Sequence, residues 1–132
     1  MSTYLSSIVV ILSLFLGGNN ACQIQYDGIY KMEIDDEYAA YFKFFKDGKV
    51  LHTTSTSTES EVATYFNTEN QDMVLVGKYT TGNCNVKGKA SGMTGKISFW
   101  GTVEMEAINV TFKNPTTNSS IDGRFEFYPF EE

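Results

Sequence analysis

The chain has 132 residues, with ten Lys and Arg against sixteen Asp and Glu, two cysteines and one histidine. A net charge of −6 argues against a phosphate backbone or an anionic lipid surface as partner. One histidine and two widely separated cysteines argue against a metal centre, and the length suits one domain with a modest core.

Residues 1–21 carry no charged side chain, and Ile8 to Leu16 is apolar apart from Ser13. Roughly 20 apolar residues are needed to cross a bilayer, so this shorter run reads as an export signal. The expectation is a signal peptide over 1–21, a single domain over 22–132, and a secreted protein. Cys22 follows directly on Ala21 and has two readings. In an oxidising compartment it pairs with Cys84, closing a loop of about 60 residues worth roughly 3–4 kcal/mol. Alternatively Cys22 is lipidated and anchors the protein at the cell envelope, the one route to a membrane.

Alternation of period two then recurs along the chain, as a half-buried strand requires. In Tyr26 to Ile34 one face reads Tyr26, Gly28, Tyr30, Met32, Ile34 and the other Asp27, Ile29, Lys31, Glu33. Ala39 to Phe45 is an aromatic second strand; Asp47-Gly48 turns the chain and Val50 to Thr54 returns it. Thr58-Glu59-Ser60-Glu61 has the form of a capping box, and Val62, Tyr65 and Phe66 share one helical face, predicting a short helix over Glu59 to Phe66 packed on an end or flank of the sheet.

Strands resume at Met73 to Thr80, then Cys84 to Lys89 after a turn at Gly82-Asn83, then Lys96 to Glu104 and Ile108 to Lys113. Asn114-Pro115 ends the seventh strand, and Asp122-Gly123 precedes the last, Arg124 to Phe130. The fold class expected is all-β: an antiparallel up-and-down barrel of about eight short strands, with one short helix after the third. Closure removes the exposed edges of an open sheet.

Candidate chemistry is sparse. His52 has Thr53, Thr54 and Ser55 beside it, but strand neighbours point to opposite faces and form no catalytic dyad, so it reads as an ordinary strand histidine. Asp35-Asp36-Glu37 falls where the first hairpin must turn and reads as a solvated turn rather than a calcium site. Lys43, Lys46, Lys49, Lys78, Lys87, Lys89 and Lys96 are spread singly, giving a mixed solvated surface. Asn109-Val110-Thr111 and Asn118-Ser119-Ser120 are glycosylation sequons. No catalytic residue, metal ligand or cofactor is assigned, and the protein is not expected to be an enzyme.

The rings dominate instead. Tyr30, Phe42, Phe44, Tyr79, Phe99 and Phe112 are the candidates for stacking around an apolar ligand inside the barrel. The same rings could simply fill it, leaving at most a narrow cleft at one end, since eight strands are just wide enough for either outcome.

Gly28-Ile29-Tyr30 at the start of the first strand and Arg124, the chain's one arginine, in the last resemble the lipocalin-like (calycin) barrels. That family's pattern is Gly-x-Trp, with a late arginine packed across the tryptophan; here Tyr30 stands in the tryptophan's place. The Asp27-Gly28-x-Tyr30 start, Asp47-Gly48 and Ile121-Asp122-Gly123 look like small exported domains of bacteria. The resemblance implies an exported binding module for a small apolar or amphipathic ligand. The alternative is an extracellular or cell-envelope structural or interaction protein, such as an inhibitor, with a filled core and no ligand.

Overall fold

The computed structural model describes residues 22–67, 70 and 72–130. The export signal expected over 1–21 lies outside the described residues. The strands are β1 (Gly28–Glu33), β2 (Ala39–Phe44), β3 (Lys49–Ser55), β4 (Leu75–Gly82), β5 (Asn85–Gly92), β6 (Gly95–Val103), β7 (Ala107–Asn114) and β8 (Ser119–Pro129), with one helix, α1 (Glu59–Tyr65), between β3 and β4. Each strand pairs antiparallel with the next, and β8 pairs with β1, so the sheet closes on itself. This is the all-β, up-and-down barrel with a helix after the third strand that the alternation predicts.

The register puts one apolar set inside all the way round. Tyr30 stands opposite Phe42, and Phe42 opposite His52. Farther round, Phe99 faces Phe112, Ile108 faces Phe125, and Phe127 returns to Tyr30. The rings meet in the middle: Phe42 has the Phe99 and Phe125 centroids 4.8 and 5.0 Å away, and Phe44 has Tyr79 at 4.9 Å. Tilted and edge-on contacts at these distances are those aromatic quadrupoles favour. Space for them comes partly from Gly88, where a Cβ would meet the Lys78 carbonyl at 2.4 Å and the Phe99 ring at 2.6 Å.

A second, smaller core lies outside the wall. Ile29, Tyr41 and Leu51 face away from the barrel interior, and Val62 and Phe66 cover them together with Val74. The helix begins as its sequence requires: the Thr58 hydroxyl accepts the Glu61 N–H, and the Glu61 carboxylate accepts the Thr58 N–H. Lys31 reaches from β1 to Glu59 of the helix at 2.7 Å. The helix therefore sits on the flank of β1–β3 rather than over an end. Tyr65 is only half-buried beside it.

One end of the barrel is shut by the N-terminal segment. Ile24 enters the main core, Gln25 donates its backbone N–H to the Tyr30 hydroxyl at 2.8 Å, and the Gln25 amide donates to the Met105 carbonyl. Burial pushes the Tyr30 hydroxyl up to about 12 against the pull of the Gln25 N–H. Cys22 is bridged to Cys84, with Cα atoms 5.0 Å apart. Cys84 is at the tip of the β4–β5 hairpin, where both Asn83 and Cys84 take positive φ, as a two-residue type I′ turn demands.

Most boundaries lie within two residues of the sequence expectation, and three differences have a visible cause. Met73 and Val74 donate to the Asn70 carbonyl and so belong to the approach to β4, which starts at Leu75. Cys84 turns the chain instead of starting a strand, and β5 runs on to Gly92 because it pairs with β6 down to Gly92 opposite Gly95. β8 begins at Ser119 rather than Arg124, held by a ladder that runs to Asn114 opposite Ser119.

Candidate functional site

The strand alternation that fills the barrel also decides which residues reach an opening. Tyr30, Phe42, Phe44 and Phe99 are sealed within the core and stack on one another; Phe99 and Tyr79 also back a shallow groove on the outer face of β4–β6. Tyr79 is held with them, its hydroxyl donating to the Phe45 carbonyl at 2.6 Å. Of the six candidate ligand residues, Phe112 alone borders the opening at the far end of the barrel from Cys22.

That opening is a cleft of about 350 Å³. Its floor is Leu75, Ile97, Phe112 and His52, and its rim carries Thr94, Asn114, Ser119 and Ser120, with Lys96 to one side. The residues come from β3, β4, β6, β7 and β8 and from the β5–β6 turn, so only barrel closure assembles them. The floor is apolar and the rim hydroxyl-rich. The volume falls at the small end of the range for ligand pockets.

His52 is the one buried polar side chain on the inner wall of β3, at 3% exposure; Thr54, the next position on the same side, is exposed at the cleft. The His52 ring lies 4.6 Å from Phe42 and 5.1 Å from Phe112. Burial holds its pKa down to about 3, only partly opposed by the Tyr41 backbone, so the imidazole is neutral at physiological pH. Its Nδ1 is buried with no hydrogen-bond partner. Leaving such an atom unpaired costs about 1–3 kcal/mol. Beside it, the Thr53 hydroxyl donates to the Met73 carbonyl at 3.0 Å, fixing the approach to β4 along the cleft wall. Sequence reading took His52 for an ordinary strand histidine. The available signal was a polar ring at an inward position, two residues from Val50.

The remaining candidates are dispersed. Arg124 points outward, because Phe125 takes the inward position beside it, and it pairs with Glu104 at 2.9 Å. It does not pack across Tyr30, so the late arginine of the lipocalin-like pattern is not in its place here; Ile24 and Gln25 cover that end instead. Asn109 donates to the same Glu104 carboxylate. Asn118 is exposed at the β7–β8 turn with φ of 60°. The Asp35 carboxylate accepts the Glu37 and Tyr38 N–H groups, both at 2.8 Å, and closes the first hairpin. Cys22 shares its sulfur with Cys84 and in this state offers no thiol for a lipid. Among the described residues no group of three or more His, Cys, Asp or Glu comes together.

The lysines are not dispersed as their spacing in the sequence suggested. Lys78, Lys87, Lys89 and Lys96 all stand on the outer face of β4–β6, exposed around Trp100. Comparison with protein-family models, curated proteins and solved structures finds no match, so the geometry of this barrel and its surfaces is the ground for assigning a role.

Proposed function

We propose that the protein is an exported binding module of lipocalin-like architecture. It holds a small amphipathic molecule in the cleft above His52 rather than a long lipophile in the barrel interior. The observation that carries this reading is His52 among the residues lining the cleft, with its neutral Nδ1 buried and unpaired. A ligand with a hydroxyl or amide donor satisfies that nitrogen, directly or through one held water, once the imidazole turns toward the cleft, while its apolar body rests on Leu75, Ile97 and Phe112. The rim hydroxyls and Lys96 receive a polar or anionic head. Export is supported by the leader-like residues 1–21 and by the Cys22–Cys84 bridge, since disulfides persist in oxidising compartments.

The test is a fragment screen on the methyl-labelled protein, using small alcohols, amides and indoles. Binding at the cleft moves the Leu75 and Ile97 methyl resonances and the His52 ring protons together, and His52→Phe removes the preference for donor-bearing fragments. A screen in which no fragment perturbs these resonances, or in which donor-free fragments bind equally well, overturns the reading.

A further inference from the structure

We propose that the outer wall of β4–β7 is a docking surface for an acidic polysaccharide, a linear chain bearing carboxylates or sulfates. The proposal does not depend on the cleft. From Met73 to Val103 the sequence has four lysines and no acid, which leaves six basic and sixteen acidic residues for the rest of the chain. Folding sharpens this segregation. Tyr79, Val86, Ala90, Ile97 and Phe99 turn inward, so the lysines between them all turn outward.

The register then aligns them. Lys78 stands opposite Lys89, Lys89 opposite Ser98, and Ser98 opposite Lys113, one row across four strands. With strands about 4.8 Å apart, the row spans about 14 Å. The adjacent row reads Thr80, Lys87, Trp100, Thr111, and the row on the other side brings Ser91 to Lys96. Like charges placed directly opposite each other in a ladder are unfavourable, yet none of the five lysines has an ion-pair partner among the described residues. Trp100 is 48% exposed among them. It and the Lys78, Lys87 and Lys89 side chains border a shallow groove of about 510 Å³.

The neutral positions between the cations decide the chemistry of the occupant. Apart from Val76, half-buried against the outer core, they are Thr80, Ser91, Ser98 and Thr111, hydroxyls suited to a hydroxylated polymer, with one indole to lie against a sugar ring face. A bilayer surface would call for apolar projections at those positions, and a single-stranded nucleic acid for several stacking rings.

Trp100 is the only tryptophan, so its emission reports on this wall alone. Titration of the full chain with polygalacturonate should shift or quench that emission, with affinity falling about tenfold between about 50 and 200 mM salt. Neutral dextran of equal length should give no change. Lys87→Gln with Lys89→Gln should weaken binding at least about tenfold at an unchanged melting temperature, whereas Lys31→Gln on β1, across the barrel from β5, should not. Any of four results overturns the proposal: no salt-sensitive change in emission, an equal response to dextran, tighter binding to phosphatidylglycerol vesicles or to oligo-dT than to polygalacturonate, or sedimentation showing that the wall is already covered by the acidic side of a second copy.

Discussion

A neutral imidazole sealed among Phe42 and Phe112 makes folding sensitive to acid at one residue. The folded pKa of His52 lies at about 3, while in the unfolded chain it returns to about 6.5. Above about 6.5 neither state is protonated and the contribution is constant; below it the unfolded chain takes up a proton that the folded protein refuses. Stability therefore declines by about 1.4 kcal/mol per pH unit from there down toward the folded value. Between pH 7 and 5 the expected loss is about 2 kcal/mol, measurable by urea unfolding at the two pH values. His52 is the only histidine, so His52→Phe should flatten the profile over that window; an unchanged slope in the variant would assign the loss to other groups. The inward position of His52 was legible, because alternation sets it on the same side as Val50. Its lack of a partner was not, because the neighbours that seal it come from β2 and β7, distant in sequence.

At the scale of elements, the helix and the wall beneath it form a unit. Ile29, Tyr41 and Leu51 break the apolar-in, polar-out rule of their strands, and α1 is the reason: its Val62, with Phe66 and Val74, covers them. Val62→Ala should cost about 2 kcal/mol through lost burial and a residual cavity. Thr58→Ala should cost about 1 kcal/mol by leaving the Glu61 N–H uncapped. Both are read from equilibrium unfolding, and neither should alter ligand contacts at the cleft, which α1 does not line. The helix itself was legible from Thr58, Glu61 and the Val62–Phe66 spacing. Its seat on the flank could have been inferred from the outward Ile29 and Leu51, two apolar residues that need a cover. Strand ends were less legible. The first residues of β8, Ser119 to Gly123, have no strong hydrophobic pattern and are extended because β7 supplies a ladder partner. The cleft was foreseen only as an opening at one end, since its lining depends on how five strands stagger.

Over the whole molecule, charge and closure divide the work between opposite regions. The basic wall was written into the acid-free stretch from Met73 to Val103, but counting lysines one by one along the chain concealed it. Strand parity was needed to put them on one face. The closed end depends on the bridge from Cys22 to the β4–β5 hairpin, 62 residues apart in sequence. In the chain-entropy account such a link removes freedom mainly from the unfolded state, worth about 4 kcal/mol for a loop of this size. Cys22→Ser with Cys84→Ser should therefore lower unfolding stability by about that amount. Because Ile24 and Gln25 keep contacts of their own with the core, Tyr30 and Met105, the barrel should still close. Hydrogen exchange distinguishes the two consequences: protection should fall uniformly in the core through the loss of global stability, and fall further only at residues 23–27. A variant whose inner strands exchange freely while the N-terminal segment stays protected would show that the bridge organises the barrel itself instead of tethering its plug.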